Sequence, residues 1–427
     1  EVIKDELSYQ LVESLTTEVG HRMMGSEGDK KSIVWAVNKM KALGFDKVWT
    51  DEVTGTLWLR GDAEAKISAP YPHNIVAIAL GGSVGTGDKG IEQEVAHFES
   101  LDALRAAPDN SLNGKIAFIS YRMTRHKDGR GYGRAVGARV GGAVVAAKKG
   151  ASALLIRSVG TDNNRLAHTG IMRYEEGVNK IPAAAISNPD ADHLRRLHNL
   201  NKPLSISLHS GSNWKGDVTS GNVVLDLIGS EKPEEIVLIG GHLDSWDLGT
   251  GAVDDGAGIA ITTAAAKLIA NLPKRPKRTI RVVMFGAEEV GLLGAYAYAQ
   301  QHEKNLHNHV LATESDFGAR NIWRIVSNVN PEATKLVDEI AKIISPLGIV
   351  RGGSNVKGGG PDIIPMAAKG VPTIRLSQEG TDYFDLHHTP DDTLDKINPD
   401  ELAQNVAAYA ATIFLFADTD VDLKAKD

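Results

Sequence analysis

Polar side chains that can bind metal ions or move protons follow three predicted strands of this chain. The three strands run into Gly241-His242-Leu243-Asp244, Ala287-Glu288-Glu289 and Glu314-Ser315-Asp316. In open α/β sheets, functional sites form at the carboxyl ends of the strands. We therefore expect His242, Glu289 and Asp316 to meet at one edge of a sheet.

Two further motifs add candidates to this set. Asp254 and Asp255 open the next predicted helix, and His387 and His388 follow the last predicted strand, with His387 interpreted as a neighbour of the ligand. The candidates offer imidazole nitrogens and carboxylate oxygens but no thiolate, because the chain contains no cysteine. Such ligands suit zinc or, less selectively, manganese or cobalt.

A pair of metal ions explains why one site would need so many ligands. Two ions about 3.5–4 Å apart need a bridging carboxylate, plus one imidazole and one carboxylate each. A separate carboxylate must then take a proton from the activated water. The adjacent Glu288 and Glu289 can divide the roles of base and ligand. Asp244, two residues after His242, is placed to orient that imidazole.

Each motif also has an ordinary structural interpretation when it stands alone. A His-x-Asp sequence after a strand is usually a loop, and Glu288-Glu289 is typical of a solvated helix start. The residues His302, His307 and His309 are expected at a solvated helix end and loop. A phosphate-binding Gly-x-x-x-x-Gly-Lys-Ser/Thr motif is absent, which excludes nucleotide binding through that motif. The joint occurrence of the motifs at successive strand ends favours a metal site.

The pattern of apolar residues predicts the elements that position these side chains. From Val218 onward strands and helices alternate, which indicates a sheet with helices on both faces. The predicted strands are 236–239, 280–285, 309–312 and 371–376, and the predicted helices are 257–270, 292–301, 331–344 and 400–416. Leu7, Leu11 and Leu15 predict an earlier helix that stops at Gly20, and a second is closed by Gly44.

The stretch from 67 to 212 has a different sequence pattern. Short apolar strands alternate with glycine-rich stretches, an alanine-rich helix is expected over 141–149, and no titratable cluster with metal spacing occurs. We interpret 67–212 as an inserted module, and 1–66 with 213–427 as the domain that carries the candidate site.

Composition excludes several classes of protein. The 427 residues carry a formal net charge of −7, which does not favour sequence-independent nucleic-acid binding. The apolar run 402–417 is too short and too polar to span a membrane. The start Glu1-Val2-Ile3-Lys4-Asp5 has no basic-then-apolar leader, so we interpret the chain as one whose signal peptide has been removed.

Taken together, the motifs resemble those of the M28 family of di-zinc peptidases, and within it the carboxypeptidase Q branch. The similar stretches are 20–26, 156–159, 168–170, 180–182, 241–247, 253–256, 287–289, 314–316 and 388–393. The resemblance implies an α/β fold with a mixed, mostly parallel sheet sandwiched by helices, and an inserted protease-associated domain at 67–212.

The resemblance also implies roles for individual residues and two Zn²⁺ ions as cofactors. The implied ligands are Asp254 as the bridge, His242 and Asp316 at one ion, and Glu289 and His388 at the other. Glu288 would be the general base, Asp392 would support the ligands, and the loop 358–362 would lie near the substrate.

The function implied by the resemblance is a di-zinc exopeptidase that hydrolyses dipeptides or short peptides with free termini. A broad-specificity aminopeptidase is the alternative, and a one-zinc glutaminyl cyclase or a non-catalytic receptor-like domain is a weaker one. The family implies a secreted or periplasmic protein and a possible homodimer. Tyr383 and Phe384 would either line an apolar specificity pocket or simply be packed.

Overall fold

The structure is a computed structural model that describes residues 6–356 and 358–424. The interpretation of Glu1-Val2-Ile3-Lys4-Asp5 as a trimmed start lies outside the described residues. The chain forms two compact units. The first unit takes in the described parts of Glu1–Gly55, Val218–Tyr383 and Asp392–Asp427, and the second takes in Thr56–Asp217 and Phe384–Asp391.

Strands and helices are numbered in chain order. The strands are β1 Lys47–Leu59, β2 Ala63–Ala69, β3 His73–Ile75, β4 Ala77–Ala79, β5 Ile91–Phe98, β6 Lys115–Ile119, β7 Ala153–Arg157, β8 Ala183–Ile186, β9 Ser205–Ser210, β10 Asn213–Leu227, β11 Lys232–His242, β12 Arg278–Phe285, β13 His309–Glu314, β14 Ile322–Asn328, β15 Val350–Ser354 and β16 Thr373–Gln378. The α-helices are α1 Leu7–Glu18, α2 Glu27–Leu43, α3 Leu101–Arg105, α4 Tyr132–Lys148, α5 Asn188–His198, α6 Ala257–Ala270, α7 Leu293–Gln301, α8 Pro331–Ile344, α9 Ile364–Ala367, α10 Tyr383–Leu386 and α11 Pro399–Asp418.

A mixed sheet forms the centre of the first unit. Its strand order within the described residues is β1-β10-β12-β11-β13-β16-β14-β15. The central strand β11 pairs in parallel with both β12 and β13, whereas β10 pairs antiparallel with β12 and β14 pairs antiparallel with β16. The carboxyl ends of β11, β12 and β13 therefore lie at one edge of the sheet.

Buried side chains cover both faces of this sheet. Leu238 of β11 and Phe285 of β12 belong to one buried cluster with Ala295 and Tyr298 of α7. Helices α6 and α11 also pack against β11 and β12. The strand neighbours of Leu238 point to the opposite face and are fully buried as well. The sheet thus lies between layers of helices, as the strand–helix alternation predicts.

The predicted helices of the first unit are confirmed with small differences at their ends. Helices α6 and α8 have the predicted bounds, α7 begins one residue later, and α11 runs slightly beyond the predicted range at both ends. Helix α2 ends at Leu43, as predicted. The next residue, Gly44, has a φ of 81° and caps the helix in the left-handed conformation.

Two expectations for this unit differ from the structure. The strands β10, β14 and β15 were not among the predicted strands. Of these, β15 is short, glycine-containing and largely exposed, so no apolar pattern indicated it. The expectation that His309 is solvated is wrong, since it begins β13 and is only 2% exposed. Its Nε2 atom lies 2.8 Å from the hydroxyl of Tyr298, and burial lowers the pKa of His309 to about 3.

The second unit has its own sheet, with the order β3-β2-β9-β5-β6-β7-β8-β4. Strands β5 to β8 pair in parallel, whereas β9 pairs antiparallel with β2 and β5. Helix α4 covers most of the expected range 141–149 but begins nine residues before it, at Tyr132. No helix in 6–356 or 358–424 is both long and apolar enough to cross a lipid bilayer.

Candidate metal centre

The parallel strands bring the candidate residues of the first unit to one edge. His242 is the last residue of β11, and the register pairs it with Phe285, the last residue of β12. Gly240 of β11 pairs with Glu314, the last residue of β13. Because the three strands end together, the residues that follow them meet there, as the sequence predicts.

The imidazole of His242 is held at both of its nitrogens. Its Nδ1 atom lies 3.0 Å from the main-chain carbonyl oxygen of Asp244, which can only accept, so Nδ1 carries the proton. Its Nε2 atom faces two carboxylate oxygens, 3.0 Å from Oδ1 of Asp254 and 3.6 Å from Oδ1 of Asp316. The ring is 1% exposed, so water cannot separate these atoms.

This contact shows that the site fits a divalent cation. A lone pair facing two carboxylate oxygens is unfavourable unless a proton or a metal ion lies among them. Burial lowers the pKa of His242, but its contacts with the carboxylates of Asp244, Asp254 and Asp316 outweigh burial and raise that pKa well above the usual value. A metal ion would satisfy the same oxygens.

Asp254 is carried by a tight turn at Ala252–Gly256, directly before α6, and its own backbone is not helical, with φ −126° and ψ 89°. The peptide bond between Asp254 and Asp255 is cis. Gly251 precedes the turn with a φ of 62°, and a Cβ atom added there would lie 2.4 Å from the Cβ of Ser245. Only glycine fits this position without displacing its neighbours.

Arg22 braces the loops around this turn, a role that no local sequence pattern indicates. The side chain is completely buried and donates to the carbonyls of Leu243, Thr250 and Gly251 at 2.6, 2.6 and 3.0 Å. Burial lowers the pKa of Arg22, although the neighbouring carboxylates act in the opposite direction. The segment 20–26, which carries part of the family resemblance, thus supports the loop that presents Asp254.

Asp244 organises the residues after β12. Its carboxylate accepts hydrogen bonds from the main-chain N–H groups of Glu288 and Glu289 at 2.9 and 3.2 Å. The carboxylate is 3.6 Å from Nδ1 of His242, so the closer contact with that ring comes from the Asp244 carbonyl. The expectation that Asp244 orients the imidazole therefore applies to its main chain rather than to its carboxylate.

The two adjacent glutamates occupy different positions. Glu289 is 5% exposed and belongs to a group with His242 and Asp254 whose ligand atoms all lie within 4.8 Å of one another. Glu288 is more exposed than Glu289. Burial and the nearby carboxylates of Glu289 and Asp316 raise the pKa of Glu288 well above its usual value, against the opposing charge of His242. A raised pKa makes the Glu288 carboxylate a stronger base than an ordinary glutamate.

A second group of candidate ligand atoms includes Asp255, which was not predicted to be a metal ligand. His242, Asp255 and Asp316 also have ligand atoms within 4.8 Å of one another. The carboxylate of Asp255 already accepts from the main-chain N–H groups of His242 and Gly258 at 3.0 and 3.1 Å. Asp255 therefore fixes the end of β11 against the start of α6.

Asp392 supports the turn that carries Asp254. Its carboxylate accepts from the N–H groups of Val253 and Asp254 at 2.6 and 3.3 Å, and its carbonyl accepts from Thr250. Burial and the charge of Asp254 raise the pKa of Asp392 to about 7. The structure places Asp392 behind the candidate ligand, where the resemblance puts it.

A buried pair of acids lies behind the end of β13. The N–H of Asp362 donates to Oε2 of Glu314 at 2.9 Å, and both side chains are inaccessible to solvent. Burial and the charge of Asp316 raise the pKa of Glu314 to about 8. A Cβ atom at Gly360 would lie 2.1 Å from Oε2 of Glu314. The loop 358–362 therefore needs glycine at position 360 in order to pack over Glu314.

The remaining predicted residues are divided between the two units. Tyr383 belongs to the first unit and packs against Phe317, with ring centroids 4.6 Å apart. Phe384 belongs to the second unit and stacks on Tyr132 at 5.0 Å. Both aromatic rings are thus packed. His388 also belongs to the second unit, in the segment Phe384–Asp391.

Sequence comparison assigns the chain to a family. Residues 222–413 match the profile of Peptidase family M28. The human (Homo sapiens) protein named Carboxypeptidase Q is 36% identical over 411 residues, which are 96% of this chain and 85% of that protein. The chain therefore belongs to peptidase family M28, and it is a metallo-exopeptidase, as its motifs predict.

Further relatives agree with this assignment. The crystal structure of a Peptidase M28 precursor from Shewanella amazonensis SB2B is 52% identical, with a TM-score of 0.97, and the match covers 99% of this chain and 95% of that one. Aminopeptidase YwaD of Bacillus subtilis (strain 168) is 23% identical over an alignment of 435 positions, which covers 96% of this chain and 84% of that protein. The mixed α/β architecture is thus that of known M28 peptidases.

Proposed function

We propose that the protein is a di-zinc exopeptidase that hydrolyses dipeptides or short peptides with free termini. The observation that carries the proposal is the close approach of the buried His242 Nε2 atom to the carboxylates of Asp254 and Asp316, at 3.0 and 3.6 Å. Nitrogen and oxygen ligands without thiolate are a set that zinc accepts in hydrolytic enzymes.

The proposed ligand set follows the resemblance residue by residue. It consists of Asp254 as the bridge, His242 and Asp316 at one ion, and Glu289 and His388 at the other. The close approach of His242, Asp254 and Glu289 in the first unit supports the part of this set that lies there. Asp244, Asp255 and Asp392 hold the ligands in place through main-chain hydrogen bonds.

When bound, the two zinc ions would polarise the scissile carbonyl and make a water molecule more acidic. Glu288 is the residue that accepts the proton of this water and returns it to the leaving amine as the peptide bond breaks. Its raised pKa suits both directions of transfer. The hydrogen bond from its N–H to Asp244 holds the glutamate at the end of β12.

We propose the domain organisation that the family resemblance implies. Residues 1–66 and 213–427 form the catalytic domain, and 67–212 form a protease-associated insert. The separate sheet and buried core of the second unit support an independently packed insert. We further propose that the protein is secreted or periplasmic, in keeping with a relative named a precursor, and that it forms a homodimer.

The substrate class follows the relatives named Carboxypeptidase Q, which are 34–36% identical to this chain. The second candidate is a broad-specificity aminopeptidase, because a relative of that name matches 96% of the chain at 23% identity. The two candidates differ in one requirement. A dipeptidase needs the free carboxylate of its substrate, whereas an aminopeptidase tolerates its replacement.

A matched substrate panel separates the candidates. Zinc-loaded protein is given a free dipeptide, its N-acylated form, its C-terminal amide and an aminoacyl anilide, with chelator-treated protein as a control. Cleavage of the free dipeptide alone is the expected result. Turnover of the amide and the anilide would make the protein an aminopeptidase. Hydrolysis that survives the chelator would contradict a metal-dependent reaction.

A further inference from the structure

The segment that carries His388 is held within the second unit. Arg125 donates two hydrogen bonds to the carboxylate of Asp385 at 2.6 and 2.7 Å, and the hydroxyl of Thr161 donates to the same carboxylate at 2.7 Å. The N–H of Thr161 also donates to the carbonyl of Phe384 at 3.0 Å. The beginning of the segment is therefore fixed by residues that lie more than 200 positions earlier in the chain.

His388 itself is held by the main chain of Thr169. The N–H of Thr169 donates to the carbonyl of His388 at 3.0 Å, and the carbonyl of Thr169 lies 3.2 Å from Nδ1 of His388. A carbonyl can only accept, so this contact places the proton on Nδ1. The guanidinium of Arg139 lies slightly farther from Nδ1, at 3.4 Å, and is 3.5 Å from the Thr169 carbonyl.

The neighbouring His168 holds the residue before His388. Its Nδ1 atom is 2.7 Å from the carbonyl of His387, and its Nε2 atom is 2.7 Å from Oδ1 of Asp162. The His387 carbonyl can only accept, so Nδ1 of His168 is the donor in that bond. His168 is completely buried and Asp162 is 3% exposed. Burial of such a polar pair is costly unless its hydrogen-bond geometry is good.

Thr169 is fixed in turn by side-chain contacts. Its hydroxyl accepts from Arg60 at 2.8 Å and donates to the carbonyl of Ala79 at 3.1 Å. The N–H of His168 donates to the hydroxyl of Ser158 at 2.9 Å. Hydrogen bonds from other residues of the second unit therefore hold both His168 and Thr169 in place.

We infer that His168 and Thr169 are positioning residues that prepare His388 for metal binding. The inference rests on the proposed function, in which His388 is a zinc ligand. The Thr169 carbonyl selects the tautomer that carries its proton on Nδ1 and leaves Nε2 as the ligand atom. Metal-bound histidines generally have such an outer partner, and its loss weakens metal binding by about 10- to 100-fold. Residues of the second unit thus orient the imidazole of His388 for metal binding.

A matched pair of substitutions tests this role. The amide nitrogen of asparagine can take the place of imidazole Nδ1, so His168→Asn keeps a donor for the His387 carbonyl. The longer His168→Gln places its amide nearer to Asp162 and loses that donor. His97→Gln is the control, because His97 is in the same unit and its Nε2 atom contacts Ser120 at 2.7 Å, away from the segment.

Zinc binding is measured by equilibrium dialysis, and the thermal unfolding of the zinc-free proteins is measured alongside. We expect His168→Gln to weaken binding of one of the two ions by about 10- to 100-fold. His168→Asn and His97→Gln are expected to stay within a few fold of the wild type. Equal zinc affinity in all the variants, or an equal loss in His168→Asn and His168→Gln, would overturn the inference. A lower unfolding temperature without a change in affinity would also overturn it.

A His388→Ala variant separates this inference from the proposed function. Loss of one ion in His388→Ala together with weakened binding in His168→Gln supports both. Loss of one ion in His388→Ala with normal binding in His168→Gln would overturn the positioning role alone. Two ions bound normally by His388→Ala would overturn the ligand assignment, and the inference with it.

Discussion

The Nε2 atom of His242 lies 3.0 Å from Oδ1 of Asp254, at the opposite side of the ring from the Asp244 carbonyl that holds Nδ1. His242 and Asp254 are 12 positions apart in the chain. His242 ends β11, and Asp254 lies in the turn before α6. A strand end fixes the first, and a loop braced by Arg22 fixes the second. Hydrogen bonds within the protein therefore help to position both candidate ligands.

Glu288→Gln is expected to remove the proton acceptor while leaving the ligands intact. The turnover number should fall by about 100- to 10,000-fold, which is the usual contribution of a general base. The zinc content of the variant should equal that of the wild type, as measured by metal analysis beside steady-state kinetics. An unchanged turnover number would exclude Glu288 as the base.

Asp244→Asn is expected to lower both stability and activity. The substitution leaves one oxygen where the carboxylate accepts from two main-chain N–H groups, those of Glu288 and Glu289. A buried donor that loses its acceptor costs about 1–3 kcal/mol of unfolding free energy. Urea denaturation measures this cost.

The control for this prediction is Asp46→Asn. Asp46 is exposed and also accepts a main-chain hydrogen bond, from Ile228 at 2.7 Å. Water can replace that acceptor, so the cost should stay below about 1 kcal/mol. Equal losses in the two variants would contradict a special role for the buried carboxylate.

Gly251→Ala is expected to disturb the turn that presents Asp254. Left-handed backbone costs a non-glycine residue about 1–2 kcal/mol, and the close approach to Ser245 adds about 1–3 kcal/mol of overpacking. Gly44→Ala is the matched control, since Gly44 has a φ of 81° and an added Cβ there would meet nothing within 4 Å. Only Gly251→Ala should also weaken zinc binding, as followed by calorimetric titration. Equal zinc affinity in both variants would contradict this account of the turn.

His309→Gln is expected to make the protein less sensitive to acid. The pKa of about 3 in the folded state lies below the usual value near 6.5, so the unfolded chain binds the proton first as the pH falls. Between pH 8 and pH 5 the wild type should therefore lose about 2 kcal/mol more unfolding free energy than the variant. Denaturation of zinc-free protein at both pH values measures the difference, and parallel losses would contradict it.

The sequence predicted the elements whose patterns are local. Helix α8 has an amphipathic face and a proline at its start, and its bounds were predicted to the residue. His242, Glu289 and Asp316 could be placed together because parallel strands end at a common edge. In contrast, β15 has a glycine-containing, exposed sequence that resembles a loop, so no apolar pattern indicated it.

Local sequence patterns could not identify the residues that support the ligands. Arg22 bonds to carbonyls more than 220 positions away, and Asp255 is distinguished from Asp254 only by where the turn directs its side chain. His309 lies among other histidines in a polar stretch, and its burial depends on the packing of Tyr298. Such roles arise from contacts that only the folded chain creates.

Zinc binding by the wild type and by Asp254→Asn tests the central claim most directly. Equilibrium dialysis at a fixed free zinc concentration, followed by metal analysis, gives the number of ions per chain and their affinities. The wild type should bind two ions, and Asp254→Asn should bind fewer at the same free zinc because the shared ligand is impaired. Two ions held with equal affinity by both proteins, or fewer than two in the wild type, would contradict a di-zinc centre bridged by Asp254.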